Sequence, residues 1–141
     1  MVATSTGHER SGEVAVGSSV LGGLVSSILG LLHLFLLGVG GWLGIGLLFV
    51  VWPVLGGVVA AVGIGGLTRE RPLAAALSGT YGAAIVSVVV LVSGGLGFWS
   101  AFITRTFGVS LWSVFFTFAL ASIITWTVSG YVAGYAADRL L

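Results

Sequence analysis

The run from Val14 to Thr68, VAVGSSVLGGLVSSILGLLHLFLLGVGGWLGIGLLFVVWPVLGGVVAAVGIGGLT, contains no Asp, Glu, Lys or Arg, and its reading decides the fold. As one α-helix it would reach roughly 80 Å at 1.5 Å per residue, against a hydrocarbon core of about 30 Å. The run therefore has to cross a bilayer twice. The break belongs at Gly38-Val39-Gly40-Gly41, its densest glycine cluster. Glycine reaches the positive φ angles of a tight turn at little steric cost. This gives a first span over about 16–37 and a second over about 42–67, together one helical hairpin.

Reading onward, Thr68-Arg69-Glu70-Arg71-Pro72 is the sharpest boundary in the chain. Three consecutive charges do not sit in hydrocarbon. Pro72 suits the first turn of a new helix, where its missing N–H costs nothing. The third span is predicted over about 72–93, ended by Gly94-Gly95-Leu96-Gly97, and the fourth over about 111–137, closing on Asp138-Arg139. Between them, Phe98, Trp99 and Phe102 fall on one side at helical spacing. They predict a short interfacial helix, since aromatic rings favour the headgroup level. Trp112, Phe115 and Phe116 extend that belt into the last span. The expected fold is an all-α integral membrane four-helix bundle of two helical hairpins. Residues 1–13 form a polar cytoplasmic N-terminal tail, and 14–141 form a single membrane domain.

Composition agrees. The 141 residues are 57% hydrophobic and only 6% charged, whereas soluble domains carry about 25% charged residues. So few charges cannot cover the surface of a soluble fold of this size. The net charge of +1 and five basic residues speak against nucleic acid as a partner, which takes a clustered basic surface. The absence of cysteine excludes disulfides, thiolate metal sites and Cys nucleophiles. The polar start and the very long apolar run do not read as a secretory signal peptide.

Four spans put both ends of the chain and the Arg69–Arg71 loop on one side. That side carries Arg10, Arg69, Arg71 and Arg139, and the other carries Arg105. Cytoplasmic loops are enriched in basic residues, so both termini are expected in the cytoplasm, with the protein in the cell membrane.

Helices in lipid associate where small residues let backbones approach. Rows of such residues recur at four-residue spacing. They are Ser18, Gly22, Ser26 and Gly30 in the first span, and Gly57, Ala61 and Gly65 in the second. Ala75, Gly79, Ala83 and Ser87 follow in the third, and Gly130 and Gly134 in the fourth. These predict the helix-packing faces. A protein rich in Gly and Ala also produces some rows by chance, and the regular Ser/Gly alternation in the first span argues for real faces.

Four residues stand out as functional candidates. His33 is the one histidine inside a predicted span, and intramembrane ionisable groups are functional candidates by default. The plainer reading is a neutral imidazole packed against Ser, Thr or Trp of a neighbouring helix. Pro53 removes a backbone hydrogen bond mid-span and frees the carbonyl of Phe49. Such interrupted helices line some transporter sites, although they are also ordinary in membrane bundles. Trp52 and Trp126 lie mid-span, where an indole N–H needs a partner. Thr125, Thr127, Ser129 and His33 could supply one.

Catalysis lacks parts. No carboxylate lies within the predicted spans, so paired acid–base work has no residues there. There is no metal constellation and no phosphate-binding loop before a helix. The expectation is a non-enzyme without cofactor or metal.

The second and fourth spans share a pattern, Trp-x-Val-x-Gly-x-Val, at Trp52 to Val58 and Trp126 to Val132. It is consistent with duplication of a two-helix hairpin. Trp52-Pro53-Val54-Leu55-Gly56-Gly57-Val58-Val59-Ala60, then Arg69-Glu70-Arg71, then Ala76-Leu77-Ser78-Gly79, resembles a group of small multi-pass membrane proteins common in haloarchaea and defined only as a domain of unknown function. The Gly-rich end Gly130-Tyr131-Val132-Ala133-Gly134-Tyr135 is similar to their last helix. The likeness covers about 52–137, while the apolar region before Pro53 is longer here. It implies an archaeal multi-pass membrane protein and carries no activity or site residues.

The function expected from these readings is non-enzymatic. The protein would act through helix packing, as a homo-oligomer or as an accessory subunit of a membrane complex, with the lipid bilayer as its constant partner. The alternative is a small channel or facilitator for an uncharged solute, with a path lined by Ser26, Ser78, Ser87, Thr125 or Ser129.

Overall fold

The computed structural model describes residues 2–38, 40–63, 70–95 and 111–140. Helix α1 spans Val2–Leu37, so the polar start of the chain is helical and continuous with the first apolar span. Helix α2 covers Gly41–Gly46 and leads into one π-helical turn, Leu47–Val51, and then helix α3, Trp52–Gly63. Helix α4 spans Arg71–Gly95 and helix α5 spans Leu111–Leu140. No strand occurs among the described residues.

Among the described residues four stretches are long and apolar enough to cross a membrane: Ala15–Leu37, Gly41–Gly63, Arg71–Gly94 and Trp112–Leu140. They make this a membrane protein with an all-α four-helix bundle. The segment expected to hold an interfacial helix, with Phe98, Trp99 and Phe102, lies outside the described residues, as does Gly65.

The first hairpin turns at the glycine cluster. Gly38, Gly40 and Gly41 have φ of 63°, 61° and 68°, in the left-handed region where a Cβ is strained. The Gly38 N–H donates to the Leu34 carbonyl at 3.1 Å and closes α1, the usual left-handed helix stop.

The two spans of each hairpin, α1 with α3 and α4 with α5, are antiparallel, while the side-by-side pairs α1 with α4 and α3 with α5 run parallel. A Cβ on Gly63, at the end of α3, would lie 2.8 Å from Ser18 Oγ near the start of the first span. One on Gly134, near the end of α5, would lie 2.7 Å from the Arg71 carbonyl oxygen at the start of α4. Helices α3 and α4 form the short diagonal, and α1 and α5 occupy opposite corners.

The interior changes character with depth. In the half nearer Gly63 and Arg71, here the terminal half, contact is made by Gly, Ala and Ser. In the half nearer Gly38 and Leu111, the turn half, large side chains fill the core: Leu34, Leu48, Val86, Val90, Phe115 and Trp126, with Phe49, Trp52 and Phe118 packed on them. Backbones approach closely in the terminal half because the side chains between them are small, and aromatic and aliphatic side chains fill the turn half.

Candidate functional site

The terminal half is a sequence of close backbone approaches. A Cβ added to Gly22 would collide with the Gly56 carbonyl oxygen, and one on Gly56 with the Gly22 carbonyl and with Ser26 Oγ. This is the α1–α3 contact. Ser26 is fully buried and its hydroxyl donates to the Gly22 carbonyl at 3.0 Å, which satisfies it within its own helix. Between α3 and α5, a Cβ on Gly57 would meet Gly130 Cα at 3.1 Å. Between α4 and α5, a Cβ on Gly79 would strike the Trp126 carbonyl, and one on Gly130 the Ala75 carbonyl. Ala61 and Ala83 are fully buried.

Glycines outside the four-residue rows are tight as well, among them Gly23, Gly56, Gly63 and Gly94, and also Gly82, where a Cβ would stand 3.0 Å from both Ser26 Cβ and Trp126 Cζ3. Gly82 follows Gly79 by three residues. Helix surfaces carry ridges at three- as well as four-residue spacing, so a search at both spacings would have found it.

Trp126 is the centre of the molecule. It is 1% exposed. Its ring passes between α3 and α4 to reach the opposite corner, where a Cβ on Gly30 would lie 2.9 Å from Cη2. Gly30 thus makes room for an aromatic ring, whereas Gly22 makes room for a backbone.

His33 is 4% exposed and its ring meets Trp52 edge-on, with centroids 6.2 Å apart and planes at 64°. Neither imidazole nitrogen has a hydrogen-bond partner among the described residues, and neither indole N–H, of Trp52 or Trp126, has one. The four side chains expected to serve the indoles are engaged elsewhere or unpaired. Thr125 and Thr127 donate to the Ala121 and Ile123 carbonyls of their own helix at 2.6 Å each, and Ser129 turns to α2–α3. An unsatisfied buried polar group costs about 1–3 kcal/mol, so this cluster is an energetic exception inside the bundle.

Pro53 is buried, and the π turn lies immediately before it. Pro53 has no N–H for the Phe49 carbonyl, and the Trp52 N–H reaches past Leu48 to the Leu47 carbonyl. The carbonyls of Leu48 and Phe49 both lose their α-helical donors. Ser129 Oγ, from α5, donates to the Phe49 oxygen at 3.3 Å. The freed carbonyl was legible in the sequence, while its donor, 80 residues away, was not.

The five residues named for a solute path do not line one. Ser26 and Ser78 are buried in the α1–α3–α4 contact, Ser129 serves Phe49, and Thr125 faces outward. Ser87 borders a lateral apolar cleft of about 150 Å³ between α4 and α5, with Leu91, Trp112, Phe115 and Phe116. The axis at mid-depth is occupied by Trp126.

At the terminal end Arg71, almost buried, stands 3.8 Å from the Asp138 carboxylate. Gly134, one turn before Asp138, lets α5 close against the start of α4 and sets that pair. Among the described residues no group of three His, Cys, Asp or Glu side chains could hold a metal ion. Comparison with protein-family models, curated proteins and solved structures gave no match.

Proposed function

We propose that this membrane protein is non-enzymatic and acts through helix packing, as a homo-oligomer or as an accessory subunit of a larger membrane complex. The observation that carries the reading is the use of the interior. Its close contacts are helix against helix, from Gly22–Gly56 to Gly79–Trp126, and its core is aromatic and aliphatic. Outside that core α5 is the least covered span, with 22% of its apolar window buried. Phe116, Leu120, Ile124, Val128 and Tyr131 face outward along it. That face is available to a second copy or to a partner's helix.

Orientation follows from the arginines. Arg10, Arg69, Arg71 and Arg139 share one side, against Arg105 on the other, which supports cytoplasmic termini. The four apolar spans support a membrane location, and the cell membrane is the one proposed. The chain lacks cysteine, so single Cys residues introduced at Ser5 and at Ser110 report sidedness directly. An impermeant thiol reagent added to intact cells should label the second and spare the first.

The assembly is tested by native mass spectrometry of protein extracted gently at natural expression level. A symmetric oligomer or a stoichiometric second protein is expected. A monomer without partners, repeated on blue-native gels, would sink the proposal.

A further inference from the structure

We propose that His33, Trp52 and the π turn form a hydration site that holds water inside the turn half of the bundle. It is independent of how copies assemble.

Three features converge there. First, His33 is buried with neither ring nitrogen partnered among the described residues, and the buried Trp52 indole N–H has no partner among them either. Their rings touch, so the two sets of polar atoms share one small region. Second, the π turn leaves the Leu48 carbonyl without its α-helical donor, because the Trp52 backbone N–H goes to Leu47 and Pro53 has none. Leu48 is itself buried in the core. Third, the side-chain directions agree. Helical side chains lean toward the N-terminus of their helix. Trp52 therefore leans toward the π turn, and His33, in an antiparallel helix, leans inward from the hairpin toward Trp52.

The inventory selects the ligand. The site offers two donors, the Trp52 indole N–H and one imidazole N–H. It offers two acceptors, the other imidazole nitrogen and the Leu48 carbonyl. Water has two of each, and buried waters typically bridge such otherwise unsatisfied groups. No ionisable side chain other than His33 lies in the described part of this half. The charged groups Glu70, Arg71, Asp138 and Arg139 stand at the opposite end, so a neutral ligand fits and an ion does not.

The test is water-edited solid-state NMR of the full chain in liposomes, with ¹⁵N-labelled His and Arg. The His8→Gln variant makes His33 the sole imidazole. Magnetisation from water should reach the His33 ring as early as it reaches the guanidinium of Arg139, which is exposed at the end of α5. Trp52→Phe keeps an aromatic side chain and removes one donor, and should slow that transfer at least twofold. The unedited spectrum verifies the fold of each variant. A His33 ring signal present in the unedited spectrum but missing at the mixing time that shows Arg139 would overturn the proposal. So would a transfer rate that Trp52→Phe leaves unchanged.

Discussion

Ser129 Oγ donates to the Phe49 carbonyl oxygen at 3.3 Å, so α5 supplies the hydrogen bond that Pro53 withholds from its own helix. The two residues are far apart in sequence and on different hairpins. The consequence is a coupling between Ser129 and Pro53, although the bond itself is to Phe49. Ser129→Ala should destabilise the bundle by about 1 kcal/mol, in the range measured for interhelical hydrogen bonds in membranes. Pro53→Ala restores a backbone N–H at that position, and this N–H can serve the Phe49 carbonyl. In that background the same Ser129→Ala change should cost less than half as much. A double-mutant cycle by steric-trap unfolding in bicelles measures the difference. Equal costs in both backgrounds would show that the Ser129 bond does not depend on Pro53.

The glycines of the terminal half should divide sharply by location. Gly79 and Gly130 each face a carbonyl oxygen of the neighbouring helix, and backbone cannot rotate away as a side chain can. Gly79→Ala should therefore cost roughly 1–3 kcal/mol, as overpacking does in well-packed cores. Gly17 has nothing within 4 Å, and Gly17→Ala should be neutral or slightly stabilising, since Ala is the better helix former. Thermal unfolding followed by size-exclusion chromatography in mild detergent compares the two. A Gly79→Ala protein as stable as Gly17→Ala would mean that α4 and α5 are not this close.

Much of this architecture was legible because its causes are local. The charge-free run and the Gly38–Gly41 cluster place the first hairpin, and Pro53 announces the break in the Phe49 hydrogen bond. What sequence reasoning missed depends on which helices meet. Gly56 and Gly82 look like any other glycine until Gly22 and Trp126 stand against them. The indole partners were misassigned for a related reason. Thr125 and Thr127 neighbour Trp126 in sequence, but a helical hydroxyl most readily bonds the carbonyl one turn back, and both do. The division into a small-residue half and an aromatic half also needed the fold, since each helix alone shows only a drift in side-chain size.

Trp126 should be the residue whose truncation is least tolerated. Its ring fills the axis from α5 to Gly30 on α1, so Trp126→Ala leaves a cavity lined by three helices. A cost of about 3–5 kcal/mol is expected for an aromatic-to-alanine change in a core. Trp126→Phe retains most of the contact and also removes the unpartnered indole N–H. It should cost less than half of the alanine change. Thermal unfolding of the two variants, read by far-ultraviolet circular dichroism, ranks them, and equal losses would indicate that the N–H is paired after all.

Arg71 and Asp138 close the terminal end, and the helix dipoles explain their arrangement. Arg71 stands at the N-terminus of its own helix, and Asp138 stands near the C-terminus of its own, each the unfavourable end for its charge. Because α4 and α5 are antiparallel, each also lies beside the favourable end of the other helix. The two dipole effects largely cancel, and the 3.8 Å pair decides the sign. Asp138→Asn should destabilise by roughly 1 kcal/mol, between an exposed pair and a buried one, since Asp138 is a third exposed. The double exchange Arg71→Asp with Asp138→Arg should recover most of that loss. Both changes leave the number of arginines on that side unaltered, so topology is preserved and stability alone is read. If the exchange is no better than Asp138→Asn, Arg71 is held by its other contacts and the carboxylate is dispensable.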